Sequence, residues 1–429
     1  MEIVDTTESI GTDSEKAKWK HSSADVLDFL KESRDSFSLQ GVRGSALAYL
    51  VAEAMRSMRK PFLLVAATDR EVEKLAEDVA FFWGRSRARS EGPLNRQVFS
   101  FPSRGANRAQ SLGKMETTAR RMEALYAIKT APSPLLVATS VRALLERLPP
   151  AETFLAHTSY KVVGDEVDPE ALCRQLGERG YFGVPLVEEY GDMSRRGGVL
   201  DVFTPLYKWP VRMEFFGEEI ESLRLFHPSS QRSLGSIEDV VILPASEILL
   251  DSEARERAQK AVYEDVRRER LSPAAGNAWL ERLQEGMQTS AFEDVLPVFY
   301  ERTMSLRDYL VTETVVVWSD VASIERELDE QGVALFSEPE GGLSPLQHEW
   351  RRPASELFAL PERLRQDVRN FQQAWVNPIT PKEASRREFD LAVSGHENLA
   401  LSVKSHAGRE RMLEPLADQF AEWRREGVH

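Results

Sequence analysis

From Ala24 onward, apolar residues recur at helical spacing (Val26, Leu27, Leu30), which predicts a helix behind a polar stretch, residues 1–22, read as a flexible N-terminus. The segment GVRGS then opens a helix through Leu47, Leu50, Val51 and Met55. The apolar run FLLVAA (62–67) reads as a strand, and Thr68 or Asp69 caps the helix EVEKLAEDVAFF that follows. QVFSF (97–101) predicts a strand, Met115 to Ile128 a helix, LLVAT (135–139) a strand, and SVRALLERL a helix stopped by Pro149 and Pro150. Strands alternating with helices imply a parallel sheet.

The pattern changes near residue 157. TSYKVV (158–163) predicts a strand and Pro169 to Arg179 a helix. The runs LVEEYGDM, GGVLDVFTP, WPVRMEFFG and EEIESLRLF follow with no helix between them, as in an antiparallel α+β insertion that closes near VVILPA (240–245). A charged helical region runs to about Gln288. ETVVVWSD (313–320) and the helix VASIERELDEQ then restore the α/β character, so the insertion separates two halves of one domain. The expected units are 23–156, a first half-domain; 157–246, the insertion; 247–336, the part completing the first domain; 337–384, a Pro-rich linker; and 385–429, the start of a third small α/β domain in a chain cut from a longer one.

Composition narrows the function classes. The 429 residues carry a formal charge of −14, which argues against tight DNA binding by the whole chain but allows a local basic patch. A lone cysteine, Cys173, excludes an internal disulfide framework, and seven scattered histidines lack metal-ligand spacing; no metal and no cofactor are expected. The N-terminus lacks the apolar core of a signal peptide and no apolar run is long enough to span a bilayer, so a cytoplasmic protein without a membrane partner is expected.

Two segments invite a chemical reading. Gly41-Val42-Arg43-Gly44-Ser45-Ala46-Leu47-Ala48 has the spacing of a phosphate-binding loop, but Leu47 stands where the phosphate-neutralising lysine belongs and Ala48 where the Mg²⁺-binding hydroxyl belongs. The segment is thus either a nucleotide loop without its chemistry or a plain glycine-containing helix cap. No catalytic residue is expected, and Asp165-Glu166 reads as a turn ahead of a helix cap rather than as a metal-binding acidic pair. In Val211-Arg212-Met213-Glu214-Phe215-Phe216, alternation places Val211, Met213 and Phe215 on a core face, and Arg212, Glu214 and Phe216 on the other. An aromatic beside an arginine on a polar face is a hot-spot composition for protein contact; the alternative is that Phe216 packs beneath a neighbouring helix.

The string MSRRGGVLDVFTPLYKWPVRMEFFGEEIESLRLFHPSSQRS (193–233), with GVRGSALAYLVAEA, FPSRGANR and LLVATSVRALLERLPP before it and ILPA-E after it, resembles the module shared by UvrB and the bacterial transcription-repair coupling factors, and the coupling factors more closely. The resemblance implies a UvrB-like, helicase-type parallel-sheet domain with a degenerate P-loop and an inserted α+β antiparallel domain. It implies a non-catalytic recruitment module that binds UvrA, with the family's contact positions falling on Arg196, Arg212 and Phe216. Contact with RNA polymerase would come only through other domains of the family, and DNA binding by this region would be weak or absent. The competing readings are an ATP-dependent helicase-like fragment of a UvrB-type protein, or a DNA-binding module using Arg195, Arg196, Lys208, Arg212 and Arg224. Charge reversal at Arg212 combined with Phe216→Ala is expected to leave folding unchanged.

Overall fold

Strands with no polar face have to be covered on both sides, and two such strands organise the larger sheet. The computed structural model describes residues 21–84, 96–105, 111–285, 290–337, 350–377, 387–391, 393, 397–406 and 413–425. Its strands are, in chain order, β1 (Phe37–Gln40), β2 (Pro61–Ala66), β3 (Val98–Phe101), β4 (Leu135–Ser140), β5 (Ser159–Val162), β6 (Phe182–Gly183), β7 (Asp192–Arg196), β8 (Val199–Val202), β9 (Val211–Phe216), β10 (Glu219–Phe226), β11 (Ser233–Ile237), β12 (Asp239–Ile242), β13 (Val315–Trp318), β14 (Gln372–Val376) and β15 (Arg387–Asp390).

A seven-stranded sheet in the order β15-β1-β14-β13-β2-β4-β3 is parallel throughout. The period of two divides β2 between two cores. Phe62, Leu64 and Ala66 face Val26, Leu47, Val51, Met55 and Val72, from the helices Ser23–Glu32, Ala46–Met58 and Asp69–Gly84. Leu63 and Val65 face Met122, Leu125, Val141 and Ile324, from the helices Ser111–Thr130, Val141–Leu145 and Val321–Phe336.

The insertion between β4 and β13 holds a six-stranded sheet, β11-β10-β9-β8-β7-β6, and the antiparallel pair β12-β5. The larger of these is antiparallel except that β6 and β7 run parallel. Its inner residues Leu200, Val202, Val211, Met213 and Leu223 belong to the same apolar core as Met122 and Leu125, so the insertion is packed onto the parallel sheet rather than tethered to it. Gly191 allows a close approach: its φ is +88°, and a Cβ there would lie 2.8 Å from Met115 Cε.

A buried ion network reinforces the junction. Arg121 donates from Nε to Glu247 and from Nη1 to Glu146 Oε2 (2.8 Å) and Pro102 O (2.6 Å). Arg104 donates from Nε to Glu247 Oε2 (2.9 Å) and from its backbone N–H to Glu146. Burial pushes the Glu247 carboxyl up, but Arg104 and Arg121 outweigh that and hold it below its ordinary range. The helix beginning at Val141 ends at Leu145 and does not run to Pro149, because Glu146 turns inward to this network with extended backbone.

Four expectations change. The segment assigned to a linker, 337–384, contains β14, which lies between β1 and β13 inside the sheet. It was obscured by Gln372 and Gln373, which read as surface residues yet are buried. Gln372 Nε2 donates to Ser33 O (2.9 Å), and Gln373 Oε1 accepts from Trp318 Nε1 (3.0 Å). The strand assigned to a third domain, β15, is the edge of this same sheet, pairing with β1; the helices Glu397–Ser405 and Glu414–Arg425 beyond it pack on each other. Within 247–336, β13 does rejoin the first sheet, but Ile248 to Tyr300 form a separate small core with Trp350. LVEEYGDM is not a strand as a whole; β7 begins only at Asp192. The flexible N-terminus at 1–22 falls outside the described residues except for its last two.

A cleft of about 800 Å³ lies between the helices Asp69–Gly84 and Ser111–Thr130 and the insertion's Tyr190 and Pro205. Burial raises the carboxyl of Glu123 in this cleft to about 7 against the opposing pull of Arg96 and Arg120. Below about pH 4.5 the group is neutral in the folded and unfolded chain alike. Between 4.5 and 7 the unfolded chain releases a proton that the folded chain keeps, so stability falls as pH rises, by up to about 3 kcal/mol once pH 7 is passed. Glu123→Gln is expected to melt above the parent chain at pH 8 and with it near pH 4. A variant that is less stable at pH 8 would refute this.

Candidate partner-binding surface

The outer face of the six-stranded sheet carries the residues singled out by alternation. Two tight hairpins build it. Gly197, at φ +60°, turns β7 into β8, and Gly217, at φ +67°, turns β9 into β10. Gly198 lets β8 close on β9: a Cβ there would sit 2.9 Å from Phe215 O, whose own N–H donates to Gly198 O at 2.7 Å. The resulting register sets Ser194, Asp201, Arg212 and Arg224 in one row, and Arg196, Val199 and Glu214 in the next.

Asp201 lies directly opposite Arg212 and has no exposed side-chain surface. Arg212 grips it in a fork, Nε to Oδ1 at 2.7 Å and Nη2 to Oδ2 at 2.8 Å. Arg196 Nη2 reaches the same Oδ2 at 2.7 Å. Arg212 also donates to Gln231 Oε1 (3.2 Å) and lies over the Phe226 ring at 4.6 Å. The hydrogen bond to Asp201 raises the Arg212 guanidinium above its ordinary range. Beside this cluster the sheet is capped by an apolar group of Val187, Phe203 and Phe226, with Tyr190 over Phe203 at 4.3 Å.

Phe216 is 78% exposed, so it does not pack beneath a helix. Arg196 is 50% exposed and Arg212 only 23%. The face thus combines a rigid charged patch with a bare phenyl ring. The expectation that charge reversal at Arg212 leaves folding intact is corrected here. A carboxylate at 212 would face the buried Asp201, and breaking such a pair costs about 3–5 kcal/mol. Asp201 and Gln231 were not identified from sequence. The signal for Asp201 was a single charge inside the apolar strand VLDV, which needs a cation opposite it.

The other cations proposed for DNA contact are engaged. Arg195 Nη1 meets Glu170 Oε1 at 3.2 Å, Arg224 Nη2 lies 3.6 Å from Glu214, and Lys208 lies over Trp209 at 5.0 Å.

The Gly41 loop joins β1 to the helix Ala46–Met58, with positive φ at Gly41 (+75°) and Gly44 (+56°). Leu47 and Ala48 are buried in the apolar core. Ser45 Oγ donates to Asp78 Oδ2 (3.2 Å), Asn377 Nδ2 donates to Val42 O (2.9 Å), and Val393 N donates to Gly41 O (3.2 Å). Asp165 accepts from Val162 N–H at 3.0 Å and so closes the turn after β5. Among the described residues there is no group of three or more His, Cys, Asp or Glu side chains able to hold a metal ion, and no helix long and apolar enough to cross a membrane.

Residues 161–248, which contain this whole face, match the model of the UvrB interaction domain family, so the surface belongs to a domain of that class. The chain as a whole points to a particular group of proteins. It is 30% identical over 428 residues to the transcription-repair-coupling factor of Myxococcus xanthus, covering 97% of this chain and 35% of that protein. The transcription-repair-coupling factor of Bacillus subtilis is 27% identical over 317 residues (71% of this chain, 26% of that protein), and that of Escherichia coli 26% over 324 residues (74% and 27%). The chain spans about a third or less of the length of these relatives. It is a relative of the transcription-repair-coupling factors, matching a portion of them, and it carries a UvrB interaction domain.

The exposed ring and the tied guanidinium should behave differently. Phe216→Ala is expected to leave the thermal midpoint unchanged, whereas Arg212→Ala should lower stability by about 3 kcal/mol by leaving Asp201 underpaired. Urea denaturation with a common m-value measures both. Equal stability of the two variants would contradict the geometry described for Asp201.

Proposed function

We propose that this chain is a non-catalytic docking module that presents the outer face of its six-stranded sheet to UvrA, and so brings nucleotide excision repair to stalled RNA polymerase. One observation carries the reading: Phe216 stands bare beside guanidiniums already fixed in place, the composition and rigidity of a protein hot spot. The family resemblance assigns these three positions to UvrA contact. In this reading RNA polymerase is engaged by family domains outside these residues.

The Gly41–Ala48 segment is the remnant of a phosphate loop, and its altered side chains support the absence of catalysis. A lysine side chain would have to leave the position that Leu47 fills in the core, and no hydroxyl is available at 48 for Mg²⁺. Backbone N–H groups at a helix start can hold an anion weakly but cannot orient a γ-phosphate. The pairing of Arg195, Arg196, Arg212 and Arg224 with carboxylates argues against the DNA-binding reading, since phosphate contact would have to displace those partners.

Immobilised chain should capture purified UvrA, and Phe216→Ala should weaken capture at least tenfold with the fold intact. Undiminished binding by that variant would remove Phe216 from the interface. Millimolar Mg-ATP should leave the melting temperature of the chain unchanged; a rise of several degrees would indicate a working nucleotide site.

A further inference from the structure

We propose that Asp201 is the positioning residue of the docking face, with Arg212 as its inner strut and Arg196 as the guanidinium that touches the partner; this rests on the docking reading above. Asp201 has no exposed surface, so it cannot meet a partner itself. Both its oxygens are used: Oδ1 accepts from Arg212, and Oδ2 accepts from Arg212 and Arg196 together.

The two arginines are not equivalent. Arg212 spends Nε and Nη2 on Asp201, shares Nη2 with Gln231, lays its plane over Phe226, and keeps little exposed surface. It is held from three sides and presents to a partner only the edge it leaves exposed. Arg196 spends a single N–H direction on Asp201, lies at the end of β7 just before the Gly197 turn, and is half exposed. Its remaining N–H donors point to no other partner in any hydrogen bond the described residues make. A long side chain on a strand end samples many rotamers when free. Tied through Oδ2 to a carboxylate that Arg212 immobilises, it offers its donors in one place, and less order has to be imposed on binding.

This arrangement also states the chemistry of the partner. Its surface needs an apolar pocket for the Phe216 ring and, beside it, a carboxylate or a carbonyl that can accept from Arg196. Asp201 is paired with Arg212, four residues along β9 from Phe216, so a change at Asp201 acts away from the ring.

The test titrates purified UvrA against the full 429-residue chain and follows folding by thermal melting. Asp201→Asn should weaken binding about tenfold, as should Arg196→Ala. If Asp201 acts through Arg196, the double variant binds no more than about twofold worse than Arg196→Ala alone. A purely structural role would give effects that multiply, toward about a hundredfold. Should Asp201→Asn fail to fold, Asp201→Asn/Arg212→Met removes the buried carboxylate together with the part-buried guanidinium opposite it, a change that such sites commonly tolerate; it leaves Arg196 untethered and, because Arg212 is itself a proposed contact position, should weaken binding at least tenfold. Wild-type affinity in either Asp201 variant, or multiplying effects, overturns the positioning role. Phe216→Ala separates the two levels. If it abolishes binding while the Asp201 and Arg196 effects multiply, the docking face stands and only this inference falls; if it binds normally, the docking face itself is wrong.

Discussion

A carboxylate with no access to water has to be neutralised where it sits, and Asp201 in the middle of β8 imposes that demand on everything around it. The register of β8 against β9 has to bring Arg212 directly opposite. The β7–β8 hairpin has to be tight enough to bring Arg196 back over the same oxygen. That tightness comes from Gly197 and from Gly198, whose missing side chain lets the Phe215 carbonyl approach. A one-residue slip would send Asp201 into the apolar core and expose Leu200 or Val202 in its place. The ion cluster and the hairpin geometry therefore fix each other. Phe216 owes its exposure to the same register, because the alternation that puts Arg212 outside puts Phe216 outside as well.

The outer face of the sheet keeps its geometry only if the body behind it holds still. The inner side of the six-stranded sheet shares one apolar core with the helix Ser111–Thr130 and with the parallel sheet. The junction is then tied by Arg104, Arg121, Glu146 and Glu247, drawn from four separated stretches of chain. Apolar contact supplies most of the free energy, but it is non-directional. The buried ion network adds direction: Glu247, where the chain leaves the insertion, is held by Arg104 and Arg121 of the sheet domain. The sheet domain, whose Gly41 loop keeps a turn-to-helix shape while its key positions point into the core, acts as a scaffold for the insertion.

Much of this was legible along the chain. The strands at 62–67 and 135–139, and the run Val315–Trp318 that returns to them, are almost wholly apolar, and such runs are buried on both faces. The change to strands without intervening helices marked the insertion, and strict alternation in 211–216 gave the two faces of β9 correctly. The polar strand β14 was not legible. Gln372 and Gln373 sit in a Pro-rich context and look like surface residues; they are buried because Ser33, Trp318 and Val368 supply hydrogen-bond partners from elsewhere in the chain. Nor was β15 legible as part of the first sheet, since parallel pairing with β1 joins residues about 350 positions apart and leaves no local trace.

The sequence alone determined which residues face the same way, because the period of a strand is set by backbone stereochemistry, and it determined that Leu47 and Ala48 lack a charge and a hydroxyl. Tertiary structure alone decided which of the outward residues are free. Arg196, Arg212 and Phe216 look alike in a pattern of alternation, yet one guanidinium is locked, one is half released and the ring is bare. That difference arises from a buried carboxylate brought in by a neighbouring strand, and pairing between strands is settled by register and packing across the sheet rather than by local preference.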